Sequence, residues 1–354
     1  MNTTPFWGGG ERSHLEKAAA LARRGHRVSV VAHPGGPLLT RARGAGLETF
    51  ALALGKLAYL DPLTHRRLAR YWRADRPDAV VLNASADLKV GAPAARRVGI
   101  PHVAYLRGLA VPIRDSPLNR YLLGRCCTRV IANSAATRAA VLAHLPLDPA
   151  KVAVVHHGID LSAGWPDPPA PRPDRPFVVG NAGRLTAQKA QSELVAATAV
   201  LRKRDLDVAV RIAGDGELQG ALEAQIDAAD LRGRVRLEGF VADMAGFYRG
   251  LDAFALTSHW EGYGFVLVEA MRHGLPVVAY DTSSNPEIVA EGVTGHLVPL
   301  GDVEALAARL AELAADPARR RAMGLAGQAR VRERFELDRQ LDALLAEVFA
   351  GDNR

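Results

Sequence analysis

The sequence predicts an α/β protein made of two doubly wound parallel-sheet domains. Short apolar runs alternate throughout with longer amphipathic segments, the pattern of parallel strands joined by helices. At 354 residues the chain is long enough for two domains, each with its own core. Between two similar halves lies SAGWPDPPAPRPDRP, residues 162–176, with six prolines and no periodicity. That composition marks a semi-rigid linker. Two such domains place a ligand crevice between the carboxyl ends of their strands.

In the first half, strands are predicted over residues 28–32, 79–83, 102–106, 129–132 and 151–155. Helices are predicted over 12–24, 61–73 and 134–144. The loop Gly8-Gly9-Gly10-Glu11 opens the first helix and should follow a strand. Met1 to Phe6 include Pro5 and are poor strand formers, so the first strand is expected to be very short or truncated. After the linker, strands are predicted over 177–181, 208–213, 235–237, 252–257 and 277–280. Helices are predicted over 191–203, 218–229, 244–250 and 265–273, then 302–314, 317–333 and 337–349.

Composition excludes several classes. With 48% hydrophobic and 23% charged residues the chain is an ordinary globular protein. It has no apolar run near the roughly 18 residues of a membrane span, and no signal-peptide pattern at its start. Its two cysteines, Cys126 and Cys127, are adjacent and fit neither a disulfide framework nor a metal site. A reducing, cytoplasmic setting is therefore expected. The net charge of +7 divides into +12 for residues 1–170 (23 basic, 11 acidic) and −5 for the rest (22 basic, 27 acidic). The basic half suits an anionic membrane or acceptor. Its arginines are scattered and no nucleic-acid motif is present, so no nucleic-acid partner is expected.

Glu261-Gly-Tyr-Gly-Phe-Val-Leu-Val-Glu269 carries the most chemistry. Gly262 and Gly264 form a turn between a buried strand and a helix beginning at Phe265. The N–H groups of Phe265 and Val266 and the helix dipole there favour an anion. Glu269 stands in an otherwise apolar segment, where a carboxylate requires hydrogen-bond donors such as ribose hydroxyls. Loop 180–189 also joins a strand to a helix. Gly183 permits close backbone approach, and Arg184 and Lys189 together suit a diphosphate. Ala213-Gly-Asp-Gly-Glu217 reads mostly as a structural turn. Gly8 and Gly9 offer a loop open to a phosphate or sugar. Arg107 ends a strand and cannot shuttle protons, so it would bind a phosphate or carboxylate. His102, at the other end of that strand, reads as a packing or surface residue. His156 and His157 read as turn residues or acceptor contacts.

In order and spacing these residues resemble glycosyltransferase family 4, the retaining, nucleotide-sugar-dependent enzymes of the GT-B fold. The likeness runs through Gly8-Gly9-x-Glu11, Gly183-Arg184-Leu185 with Lys189, Ala213-Gly-Asp-Gly, Glu261-x7-Glu269, Gly274-Leu-Pro-Val-Val, Asn285-Pro286-Glu287 and Gly295-x-Leu297-Val298. It implies an acceptor-binding domain over 1–165, a linker over 166–176 and a donor-binding domain over 177–335. A terminal helix within 336–354 would cross back to the first domain. Arg184 and Lys189 would hold the donor diphosphate, Glu269 the ribose and Glu261 the transferred sugar. The catalytic set would be Glu261, Arg184 and Lys189, with a nucleoside-diphosphate sugar as co-substrate and no cofactor or metal. The acceptor would be a glycan, a lipid-linked or anionic molecule, or a small molecule, met in the cytoplasm or at the inner face of the membrane. Two positions depart from the family pattern: Ala190 stands where a glycine commonly follows the lysine, and Arg107 lies where a histidine is frequent. A non-catalytic sugar-nucleotide-binding scaffold, an epimerase or a glycan phosphorylase are the alternative readings. Loss of donor hydrolysis in Lys189→Ala separates an enzyme from a scaffold.

Overall fold

Every sheet ladder among the described residues is parallel, and helices separate the strands within each half of the chain. The computed structural model describes residues 1–350 except 56, 163, 171 and 173. Residues 171 and 173 of the expected linker, and 351–354 of the expected terminal segment, lie outside the described residues. The chain divides into two units, Met1–Asp160 with the C-terminal segment from Glu336, and Leu161–Phe335.

The first unit runs α1 (Gly9–Arg23), β1 (Ser29–Ala32), α2 (Pro37–Gly44), β2 (Glu48–Ala51), α3 (Pro62–Asp75) and β3 (Ala79–Leu82). It continues with α4 (Ser85–Val98), β4 (His102–Arg107), α5 (Pro117–Tyr121), β5 (Arg129–Ala132), α6 (Ala135–Leu142) and β6 (Val152–Val154). One sheet pairs β1 with β2, and the other runs β3-β4-β5-β6. Met1 to Thr3 lie between the two. Asn2 bridges Ala32 and donates its N–H to Val31 O at 2.9 Å, while Asn83 N–H reaches Met1 O at 3.1 Å. The short first strand is thus a rudiment, seated by backbone bonds to its neighbours and by the side chain of Asp87. Thr3 Oγ1 donates to the fully buried Asp87 at 2.6 Å, and Asp87 also accepts from Ala84 N–H at 2.7 Å.

The second unit runs β7 (Phe177–Ala182), α7 (Gln191–Lys203), β8 (Val208–Ala213), α8 (Gln219–Ala228), β9 (Val235–Gly239) and α9 (Met244–Arg249). Then come β10 (Ala253–Leu256), α10 (Phe265–Arg272), β11 (Val277–Tyr280), α11 (Asn285–Ile288), β12 (Gly295–Val298), α12 (Val303–Ala315) and α13 (Pro317–Arg334). Its sheet order is β12-β11-β10-β7-β8-β9. Strand order reverses between β7 and β10, and in such sheets the crevice at the carboxyl ends of that pair receives the ligand.

Residues 161–165 were expected in the first domain but belong to the second unit. The proline-rich stretch after them is fastened there as well, rather than standing as a separate spacer. Gln328 Nε2 donates to Pro166 O at 2.7 Å, Arg332 lies over Trp165 at 4.5 Å, and Arg175 pairs with Asp252 at 3.0 Å. The stretch lies outside any sheet, so a side-chain donor, Gln328 Nε2, satisfies the Pro166 carbonyl. The last helix, α14 (Leu337–Val348), buries Leu337, Leu341, Leu344 and Val348 in a cluster with Ala104, Ile131 and Val155 of the first unit.

Candidate functional site

β7 is buried along its whole length and delivers loop 183–189 to the carboxyl edge of the second unit's sheet. Gly183 sits at φ +156°, and a Cβ there would meet Lys189 Cε at 3.3 Å, so glycine leaves room for the lysine stem. The Ala213-Gly-Asp-Gly turn seats this loop. Gly183 N–H donates to Ala213 O at 2.9 Å, Leu185 N–H to Asp215 O at 2.8 Å, and Leu218 N–H to Leu185 O at 3.1 Å. A Cβ on Gly214 would lie 2.0 Å from Gly183 O, and one on Gly216 2.5 Å from Leu185 O. The structural role expected of that turn is therefore specific: its glycines let two backbones touch beneath the cations. Leu185, fully buried, plugs the loop into the core.

The segment after β10 is stitched to the same loop. Thr257 Oγ1 donates to Lys189 O at 3.0 Å, His259 N–H to Gln188 O at 2.9 Å, and Gln188 Nε2 to Trp260 O at 2.8 Å. This stitching brings Lys189 Nζ onto Glu261 Oε1 as an ion pair, with only 18% and 7% of the two side chains exposed. Neither charge is left alone in a poorly hydrated place, and breaking such a pair costs about 3–5 kcal/mol. Arg184 is exposed on the same loop and has no ion-pair partner among the described residues.

Gly264 precedes α10, and its N–H donates to Ser284 Oγ at 3.2 Å. A Cβ there would stand 3.0 Å from Asn285 Oδ1. Two free donors were expected at this helix start. Phe265 N–H instead closes the turn onto Tyr263 O at 2.8 Å. Val266 N–H has no hydrogen-bond partner among the described residues, as at any helix beginning. Glu269 is only 8% exposed, and Tyr248 Oη donates to its Oε2 at 3.2 Å. Tyr248 stacks on His273 with 4.9 Å between ring centroids, and His273 Nδ1–H donates to Glu269 O at 2.8 Å. Burial keeps His273 below its ordinary pKa, hence neutral. Nothing in the sequence singled out Tyr248, whose partner lies 21 residues away.

The one Asp-x-Asp string, Asp205-Leu206-Asp207, lies before β8, at the sheet end opposite these loops, where Asp207 pairs with Arg234 at 3.0 Å. In the first unit, Gly8 caps α1, and a Cβ on Gly9 or Gly10 would meet nothing within 4 Å. Arg107 Nη2 donates to Val111 O at 2.9 Å, so part of the guanidinium braces its own loop. No hydrogen bond or ion pair among the described residues joins it to Gly8 or Gly9. His102 is a packing residue, edge-on to Phe349 at 4.9 Å. His157 Nδ1 lies 2.9 Å from Ser13 Oγ and 3.0 Å from Lys17 Nζ, a contact pair not anticipated from the sequence.

Two parallel doubly wound units, with cations and carboxylates at a strand-order reversal, define a nucleotide-sugar-dependent glycosyltransferase of the GT-B class. Two family profiles match, "Glycosyltransferase Family 4" over residues 7–163 and "Glycosyl transferases group 1" over 167–330. A relative in Mycolicibacterium smegmatis, the GDP-mannose-dependent alpha-(1-6)-phosphatidylinositol monomannoside mannosyltransferase, is 31% identical, covering 98% of this chain and 89% of its own. The Escherichia coli UDP-Gal:alpha-D-GlcNAc-diphosphoundecaprenol alpha-1,3-galactosyltransferase is 25% identical over 85% of this chain and 83% of its own. Anabaena HepE in complex with UDP and glucose superposes with a TM-score of 0.83 at 25% identity, covering 97% of this chain and 96% of that one. The chain belongs to glycosyltransferase family 4.

Proposed function

We propose that the protein transfers a sugar, with retention at the anomeric carbon, from a nucleoside-diphosphate sugar held by the second unit. The acceptor is a hydroxyl of a glycan or lipid-linked molecule, held by the first unit. One observation carries the assignment of the donor site: Lys189 and Glu261 are paired beside the exposed Arg184 where β7 and β10 end. As the bond between the anomeric carbon and the diphosphate oxygen breaks, negative charge grows on the leaving group. Arg184, Lys189 and the Val266 N–H meet it with donors already in place. Glu261 draws Lys189 toward the sugar side and accepts from sugar hydroxyls. Glu269, oriented by Tyr248, accepts from the ribose. The acceptor oxygen bonds the anomeric carbon, and its proton passes to an oxygen of the departing diphosphate.

The cations supply the charge that a divalent metal supplies elsewhere, so the reaction is metal-independent. Both relatives described above are named for lipid-linked acceptors, which supports an acceptor carried at a membrane in envelope glycan or glycolipid synthesis. On this reading the protein meets its acceptor at the surface of the inner leaflet; among the described residues no helix is long and apolar enough to cross a membrane. Donor hydrolysis and transfer by Lys189→Ala test the reading. A loss of at least a hundredfold in kcat with fold retained is expected, and unchanged turnover would refute it.

A further inference from the structure

Residues 57–73 form an apolar tip on a basic stripe. Leu57, Leu60 and Leu63 are 64%, 65% and 69% exposed. Along α3, Leu63, Arg66, Arg70 and Arg73 succeed one another at three- and four-residue spacings and so share one face. The opposite face buries Leu68, Ala69 and Trp72. Arg66, Arg70 and Arg73 are exposed, and among the described residues none has an ion-pair partner. Elsewhere in the unit some arginines are paired, Arg27 with Glu48 and Asp75, Arg24 with Asp342 and Arg120 with Asp115; what sets α3 apart is that its unpaired arginines line one face beside exposed leucines. The acids nearest the stripe are occupied, Asp61 by capping Leu63 N–H and Thr64 N–H, Asp75 by Arg27. The tip is held in place, since His65 Nε2 lies 3.0 Å from Tyr59 O.

We infer that this face docks the protein on an anionic lipid bilayer, the leucines entering the acyl boundary and the arginines meeting headgroup phosphates. Water-exposed leucines beside uncompensated arginines complement a surface that is apolar within and anionic outside. They do not complement nucleic acid, because the nearby aromatic rings are occupied: Tyr71 stacks on Phe50 at 4.2 Å and Trp72 is buried. The inference rests on the membrane-borne acceptor proposed above and adds the surface that reaches it.

Co-sedimentation with phosphatidylcholine vesicles, with and without one quarter phosphatidylglycerol, tests it. Three proteins are compared with wild type: Leu57→Ser/Leu60→Ser/Leu63→Ser, Arg66→Glu/Arg70→Glu/Arg73→Glu, and the charge-matched control Lys203→Glu/Arg319→Glu/Arg321→Glu. Each basic side chain near an anionic leaflet contributes about fivefold. The arginine variant should therefore lose roughly a hundredfold in affinity for the anionic vesicles, and the leucine variant at least tenfold. The control should bind like wild type, and donor hydrolysis should be unchanged in all. Wild-type binding with no loss in either α3 variant would overturn the assigned surface and leave the membrane reading standing. No vesicle binding by wild type would overturn both, while intact donor hydrolysis would keep the transferase. Light scattering that showed self-association abolished by the leucine variant would overturn the inference in favour of a second copy.

Discussion

Ala190 adopts φ +46°, ψ +41° directly after Lys189, a left-handed conformation that costs a side-chain-bearing residue about 1 kcal/mol. Ala190→Gly should therefore raise stability by roughly 0.5–1 kcal/mol, read from urea denaturation, with donor affinity unaltered. A fall in stability would mean that the methyl, which is buried, contributes more by packing. The two glutamates should separate cleanly. Glu269→Ala removes the carboxylate that Tyr248 Oη donates to, which is also the proposed acceptor for the ribose, so nucleoside-diphosphate affinity should fall about tenfold or more by calorimetry. Glu261→Ala frees Lys189 toward the diphosphate, so nucleotide affinity should hold or rise while transfer falls. Equal losses in both would sink the assignment. Lys17 offers a test by pH. Burial depresses its amine from 10.5 to about 8, so between those values the unfolded chain binds more protons than the folded one. Stability from this group accordingly rises as pH climbs from 8 toward 10.5. Lys17→Met should be more stable than wild type at pH 7, with the gap narrowing above pH 8 in thermal melts. Residues such as Glu269 were legible because a carboxylate in an apolar run is conspicuous. Tyr248 and Lys17 were not, because a tyrosine or lysine on an amphipathic helix looks the same whether or not it has a distant partner.

At the level of elements, the cation loop depends on its neighbour turn. Gly214 is at φ +139°, and a methyl there would press to 2.0 Å from Gly183 O. Gly214→Ala should cost at least about 2 kcal/mol and weaken diphosphate binding by displacing the cation loop. Normal affinity in that variant would show that the loop tolerates displacement. Elements with clear periodicity were readable to within a residue or two: α7, β8 and β11 fall where the pattern put them. α4 lies outside the predicted helices, and it holds two residues that weaken a helix interior, Gly91 and Pro93. Proline does remove one helical N–H, but the helix persists by burying Leu88, Val90, Ala92, Ala94 and Ala95. A Cβ on Gly91 would press to 2.6 Å from Leu82 Cδ2, so this glycine permits helix-to-strand contact rather than a turn. α2 and β2 were missed for a different reason. They are short, and β2 has no fully buried residue to give an alternating pattern.

For the whole molecule, the metal-independent transfer proposed above implies that activity should survive EDTA within a factor of two. Loss of activity restored by a divalent ion would contradict that. Leu341 of α14 is fully buried in the first unit's cluster. Leu341→Ala should destabilise that unit by about 2–5 kcal/mol and leave the second unit's amides protected in hydrogen exchange. Uniform loss of protection would instead show that the two units unfold together. The two-domain plan was legible because each half repeats the strand–helix alternation. The exact division was not, since prolines announce a break without saying which side they will pack against. The return of α14 carries a consequence for biosynthesis. A ribosome releases β3 to β6 early, yet the flank formed by Ala104, Ile131 and Val155 stays uncovered until residues 337–348 have left the exit tunnel, whereas Leu161–Phe335 includes no residue made after that unit. The half translated first is thus completed last, and a nascent chain arrested before residue 336 should expose its early half to protease while its later half resists.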